Sequence, residues 1–124
     1  MPEKPIIRHF DEVEPQAVTR SRAAVIQVML GPDDGLPNFY TRRFTIEPGG
    51  EIPLHRHDRL EHEQVVIAGS MKLVLDGQEH FVKTGDCIYI PAGVAHAYSN
   101  LSEQAVQFLC MVPALEDYQT EWII

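Results

Sequence analysis

Only two of the 124 residues are cysteine, one is tryptophan, and basic residues are outnumbered eighteen to ten by acidic ones. Two cysteines, Cys87 and Cys110, are too few for the disulfide framework on which small secreted domains depend. A formal charge of −8 with histidine neutral argues against nucleic acid or an anionic membrane surface as the main partner, because both recruit basic patches. No apolar run approaches the roughly 20 residues of a membrane-spanning helix. The opening MPEKPIIRHFDEVEP mixes charges and prolines where a secretory leader needs an apolar stretch, so a cytoplasmic protein is expected. Helical periodicity is scarce as well. Only residues 11–20 and the tail ALEDYQTEWII have the composition for a helical turn. Neither a repeat nor a linker divides the chain, and its length excludes two domains of ordinary size.

What is present is strand-like alternation. AAVIQVML (23–30) is a β-branched run ending at Gly31-Pro32. In NFYTRRFTIE (38–47), Tyr40, Arg42, Phe44 and Ile46 share one parity, and Thr41, Arg43, Thr45 and Glu47 share the other, which reads as the solvent face. Pro48-Gly49-Gly50 is expected to stop that strand, and EIPLHRH (51–57) to form a separate one. HEQVVIA (62–68) and MKLVLD (71–76) follow, and Asp76-Gly77 is a hairpin signal leading into QEHFVK (78–83). DCIYIP (86–91), AHAYSN (95–100) and AVQFLCMV (105–112) complete the set. Short strands at spacings near ten residues, each bounded by Gly, Pro or Asn, predict an all-β sandwich or small barrel. The Cys-Trp-Cys pattern of an immunoglobulin-like sandwich is missing, so a closed or jelly-roll barrel with a cavity is the better expectation.

Six histidines are many for so short a chain. His55 and His57, at i and i+2 on a strand, leave the same face. His62 opens the next strand, and His96 lies on a strand announced by Pro91-Ala92-Gly93. A lone strand histidine is ordinarily a surface residue, but neutral imidazole is also the commonest ligand of first-row transition metals. Spacing among the four leaves both readings open. His80 and His9 lack ligand spacing and read as surface residues.

The surrounding glycines and prolines add a resemblance. Gly49-x5-His55-x-His57-x4-His62-x6-Gly69, followed by Gly85-x5-Pro91-x-Gly93-x2-His96-x3-Asn100, resembles the two motifs of the cupin superfamily. The second motif matches at every fixed position. The resemblance covers about residues 38–112 and implies an all-β cupin (jelly-roll, double-stranded β-helix) barrel. It makes 1–124 one domain, with an N-terminal arm over about 1–36 and a tail over 113–124. The first motif usually has Glu where His62 stands. Glu61 and Glu63 flank it and could restore a carboxylate by a register slip, although His62, Gln64, Val66 and Ala68 share one face and the two glutamates the other. The wider pattern resembles short cupins that hold manganese or another divalent ion by four histidines. That resemblance implies His55, His57, His62 and His96 as ligands of Mn or Fe, with Ni, Zn or Cu as further possibilities. Because the Irving–Williams order favours Cu, Ni or Zn at nitrogen sites, the sequence does not name the metal.

Parity supplies the other candidates. Arg42 among inward residues is costly unless it faces a wet cavity or an anion, and it could bind a carboxylate or enolate oxygen; a snorkelling or structurally paired arginine is the alternative. Tyr98, two residues past His96, could face the cavity and donate a proton or stack on an aromatic, although its pattern favours core use. Tyr40 and Phe44 join the inward set, and Phe108 and Cys110 match a Phe-x-Cys that lies beside the metal in the four-histidine relatives. Three functions are compatible with this set. The leading one is a dioxygenase-like oxidoreductase acting on an electron-rich small molecule. Another is a non-redox isomerase, cyclase or lyase on a sugar acid or similar chelating substrate. The third is a non-catalytic ligand-binding module. The expected partner is a small anionic or enolic molecule. A homodimer is expected through the strand edge of the apolar run 23–30, with neither nucleic acid nor membrane involved.

Overall fold

In the computed structural model, which describes residues 4–123, the alternation becomes ten antiparallel strands in one curled sheet. Residues 1–3 and 124 of the expected domain lie outside the described residues. The strands are β1 (Gln16–Ala17), β2 (Arg22–Leu30), β3 (Phe39–His57), β4 (His62–Ala68), β5 (Ser70–Leu75), β6 (Gln78–Lys83), β7 (Cys87–Ile90), β8 (His96–Ser99), β9 (Val106–Pro113) and β10 (Thr120–Trp122). Their order across the sheet is β6-β5-β8-β3-β9-β4-β7, and β2 and β10 also pair with β3. The all-β architecture expected from strand spacing is thus the one formed. Among the described residues, no helix is long and apolar enough to cross a membrane.

The longest element departs from expectation. Pro48-Gly49-Gly50 does not stop the strand; β3 runs through it for 19 residues. Gly49 adopts φ +79°, and the register against β2 shifts between Arg22 and Ala24, so the chain bends without leaving the ladder. A Cβ on Gly50 would come within 2.8 Å of the Arg22 carbonyl, so the close approach of β2 requires glycine here. As a result β3 pairs with β2, β8, β9 and β10, its first half with β9 and its second half with β8 and β10.

The tail also differs: instead of a helical turn, residues 120–122 form β10, and its three residues pair with His57, Arg56 and His55 in turn. Among the described residues, helical character is confined to two 3-10 turns, Phe10–Glu12 and Pro32–Asp34. The first of them covers Arg43, whose guanidinium sits 3.7 Å from the Phe10 ring and donates to Gln27 Oε1 at 2.8 Å. The face read as solvent is therefore partly roofed by the N-terminal arm.

Ile46, Leu60, Leu73, Val66, Val106 and Phe108, all buried, form the core. At the β5–β6 hairpin, Asp76 (φ 51°) and Gly77 (φ 78°) both take the left-handed conformation that a two-residue loop needs.

Candidate metal centre

β3 delivers His55 and His57 from one face, their ring centroids 5.0 Å apart. β8 delivers His96 directly opposite His55 in register, with centroids 4.3 Å apart. The ring nitrogens of His55, His57 and His96 include donors lying within 4.8 Å of one another. Two nitrogens each about 2.0–2.1 Å from one ion stand at most about 4.2 Å apart, so this group is near enough to close on an ion by side-chain adjustment. His62 arrives from β4, across β9 from β3. It stands just outside that tight group, its ring 5.1 Å from His57 and 5.2 Å from His96. Its 3% exposure contrasts with Glu61 and Glu63, which are exposed on the other face. Glu61 instead accepts from the Tyr89 hydroxyl at 3.1 Å. Among the described residues, the cavity lining contains no carboxylate.

The electrostatics favour neutral rings. Burial lowers the pKa of all four imidazoles, and mutual repulsion adds to it at three of them. His57 falls to about 3, His62 to about 2 and His96 to about 4, with Arg42 contributing repulsion at His57 and His62. A neutral imidazole has a lone pair to give without first losing a proton. Nδ1 of His55 donates to the Pro53 carbonyl (2.7 Å) and Nδ1 of His96 to the Val94 carbonyl (2.9 Å), which leaves both Nε2 atoms as acceptors. The residues therefore fit a divalent transition-metal ion of the kind that nitrogen sites hold; the donor set does not choose among Mn, Fe, Ni, Zn and Cu.

These rings line one end of a cavity of about 370 Å³. Ile26, Arg42, Phe44, Ile52, Gln64, Tyr98 and Cys110 line the rest, with Tyr118, Thr120 and Trp122 from the tail and Ala17, Val18 and Thr19 from the arm. Arg42 donates from Nη2 to Cys110 Sγ at 3.1 Å and lies 5.4 Å from the Phe44 ring centre. Gln64 Nε2 donates to the Tyr98 hydroxyl at 2.7 Å and to Cys110 Sγ at 3.4 Å. Burial drives the Tyr98 phenol well above its ordinary pKa, so it remains protonated. Three buried side-chain polar atoms lack a partner among the described residues: Arg42 Nε, His62 Nδ1 and Gln64 Oε1. All three residues line this cavity.

Two of the expected pocket residues sit elsewhere. Phe108 is fully buried behind the lining, stacked against Phe44 and Tyr98 at 5.0 Å each. Tyr40 lines a neighbouring hollow of about 470 Å³ that shares Arg42 and Tyr118 with the first. Parity alone could not separate a wall residue from the one behind it. Sequence reasoning also missed the tail. Trp122 packs on His55 at 4.9 Å, Tyr118 sits edge-on to His57 at 5.4 Å, and Thr120 bonds His57 Nδ1 at 2.8 Å. The period-two alternation Tyr118-x-Thr120-x-Trp122 was the available signal.

The Cupin domain family matches residues 42–112. Among solved structures, the polyketide cyclase RemF from Streptomyces resistomycificus is similar at a TM-score of 0.86, with 28% identity, covering 99% of this chain and 87% of that one. The protein SchB of Streptomyces halstedii is 30% identical over 95 residues, 76% of this chain and 67% of SchB. Quercetin 2,3-dioxygenase of Bacillus subtilis is 38% identical over 50 residues, which are 40% of this chain and 15% of that enzyme. The chain likewise spans only about 15% of the length of the mannose-1-phosphate guanylyltransferase of Salmonella montevideo that it matches.

Proposed function

The chain belongs to the cupin family, and from that premise we propose that it is a metal-dependent enzyme catalysing redox-neutral ring closure of an enolisable, oxygen-rich small molecule. The observation that carries the reading is the composition of one cavity. Four neutral imidazoles stand at its metal end, no carboxylate lies in its lining among the described residues, and the rest includes one cation, Arg42, and the aromatic rings of Phe44, Tyr98, Tyr118 and Trp122. A divalent ion held by His55, His57, His62 and His96 would act as a Lewis acid toward a substrate oxygen, with no carboxylate to cancel its charge.

The chain's own groups supply the remainder. The Arg42 guanidinium is a fixed positive charge for a carboxylate or enolate oxygen, already oriented by Cys110 and the Phe44 ring. Tyr98, kept protonated by burial, is suited to hold a proton and not to abstract one. Phe44, Tyr118 and Trp122 offer flat apolar surfaces against which a cyclic product would lie, and they exclude water from the reacting carbons. The similarity to a polyketide cyclase over nearly the whole chain supports cyclisation in preference to the oxidative reading that the histidines alone would put first.

That oxidative reading is kept as the second, on the match to quercetin 2,3-dioxygenase. One experiment separates them: Zn(II)-loaded and Mn(II)- or Fe(II)-loaded protein, each with and without oxygen, against a panel of poly-β-ketones, polyphenolic ketones and unsaturated sugar acids. Ring closure with loss of water in the anaerobic zinc sample is the expected result. Turnover confined to Mn or Fe with matching oxygen uptake would favour the second reading. Tight binding with no turnover under any condition would leave a non-catalytic module and overturn both.

A further inference from the structure

Three of the four imidazoles have a partner on Nδ1, and the partners are of two kinds. His55 and His96 each face a backbone carbonyl. A carbonyl only accepts, so both neutral rings carry hydrogen on Nδ1 and a lone pair on Nε2. His57 faces a hydroxyl, Thr120 Oγ1, at 2.8 Å. A hydroxyl either accepts or donates, so both neutral tautomers are open to this ring. With Nδ1–H donating into Oγ1, Nε2 offers a lone pair. With Oγ1–H donating to Nδ1, Nε2 carries hydrogen instead.

The placement of Thr120 is built into the fold. β10 sets Thr120 directly opposite His57 and Trp122 opposite His55. The Ile123 amide donates to the Leu54 carbonyl (2.9 Å) beyond the strand. Before it, Asp58 and Gln119 exchange two bonds, Asp58 N to Gln119 O at 3.1 Å and Gln119 N to Asp58 Oδ1 at 2.7 Å. Thr120 lies outside the residues 42–112 that the family match covers.

We propose that Thr120 is the positioning residue of His57 and makes that ring the member of the ligand set whose metal-facing nitrogen alternates between lone-pair donor and N–H donor. The inference rests on the four-histidine reading of the site. It assigns unequal roles: His55 and His96 are locked anchors, and His57 is the ligand that releases first, its freed Nε2–H then facing the cavity as a hydrogen-bond donor.

The test compares wild type with Thr120→Val, which keeps the shape and removes the hydroxyl, and Thr120→Ser, which restores it. In metal-free protein, long-range proton–nitrogen-15 NMR correlations should show a single Nδ1–H tautomer for His55 and His96 and a mixture for His57. Thr120→Val should change the His57 pattern alone, and Thr120→Ser should return it. Zinc titration against a chelating dye should show affinity about 10- to 100-fold weaker in Thr120→Val and near wild type in Thr120→Ser. Thr120 is exposed, so thermal unfolding of the three metal-free proteins should coincide. A single His57 tautomer that Thr120→Val leaves unchanged would overturn the proposal, as would equal loss of zinc affinity in both variants. If wild type takes up no zinc, nickel or manganese, the metal reading fails on its own, and the tautomer spectra still decide the role of the hydroxyl.

Discussion

The Asn100 amide donates to the carbonyls of Ile46 (2.9 Å) and Gln104 (2.8 Å), while its oxygen accepts from the amide and hydroxyl of Ser102. The residue is fully buried, so deleting the side chain strands the buried Ile46 carbonyl and loosens the loop held by Ser102 and Gln104. Asn100→Ala should cost about 3 kcal/mol, read as a lowered urea midpoint with unchanged slope. That Asn100 closes its strand was legible in the sequence, because Asn, Ser and Gly punctuate loops. Arg42 was legible too, since a strand's parity assigns it to the face of Ile46. Which inward side chains reach the cavity was not legible. Phe108 and Cys110 share a face, yet Cys110 lines the cavity and Phe108 stands behind Phe44 and Tyr98, a matter of barrel curvature that no local pattern encodes.

At the level of elements, β4 and β6 coincide with the segments that alternation picks out, and the histidine pairs follow from their strands. The failures lie where a breaker was read as a terminus and where charge hid a strand. Pro48-Gly49-Gly50 bends β3 instead of ending it, because a bulge against β2 absorbs the irregularity. The acidic residues of the tail masked β10, whose stability comes from pairing with β3 and from Trp122 on His55, not from its own composition. Gly69 marks a place where glycine is obligatory: at φ +80° its Cβ would meet the Ala105 carbonyl at 2.6 Å. Gly69→Ala should therefore lose about 2 kcal/mol or more and lower the thermal midpoint, although the substitution stabilises where backbone conformation permits it.

For the molecule as a whole, three buried imidazoles and the half-buried His57 make the metal-free protein acid-sensitive. The unfolded chain takes up protons near the ordinary histidine value of 6.5, whereas His57, His62 and His96 in the folded protein stay neutral down to about 4 or below, and His55 is shifted in the same direction. Between those values the unfolded state binds more protons, so stability present at pH 7 is lost as pH falls toward 4. The loss is at most about 1.4 kcal/mol per pH unit for each ring, less where solvent reaches it. Urea midpoints of chelator-treated protein at pH 7, 6 and 5 should fall in that order. A divalent ion at about 100 times its dissociation constant should add about 2.7 kcal/mol, and should add less at lower pH as protons compete for the same nitrogens. The association expected through residues 23–30 meets an obstacle: the chain's own arm occupies part of that edge, with β1 on Val25 and Ile26 and Arg8 donating to the Met29 carbonyl at 2.8 Å. We propose that a homodimer forms by exchanging this arm between copies. Light scattering should then give twice 14.0 kDa at micromolar concentration, and deletion of residues 4–17 should return it to monomer size.

The pairing of His57 with Thr120, 63 residues away along the chain, also has a bearing on time. A site assembled from β3, β4, β8 and β10 exists only after several distant segments have met, and such closures are slow. An ion that needs all of them has little to grip before the rate-limiting barrier and much to hold after it. Saturating zinc should therefore leave the refolding rate almost unchanged and slow unfolding by most of the factor that it adds to the equilibrium constant. Stopped-flow kinetics with and without the ion would show whether its benefit lies in how fast the protein forms or in how long it lasts.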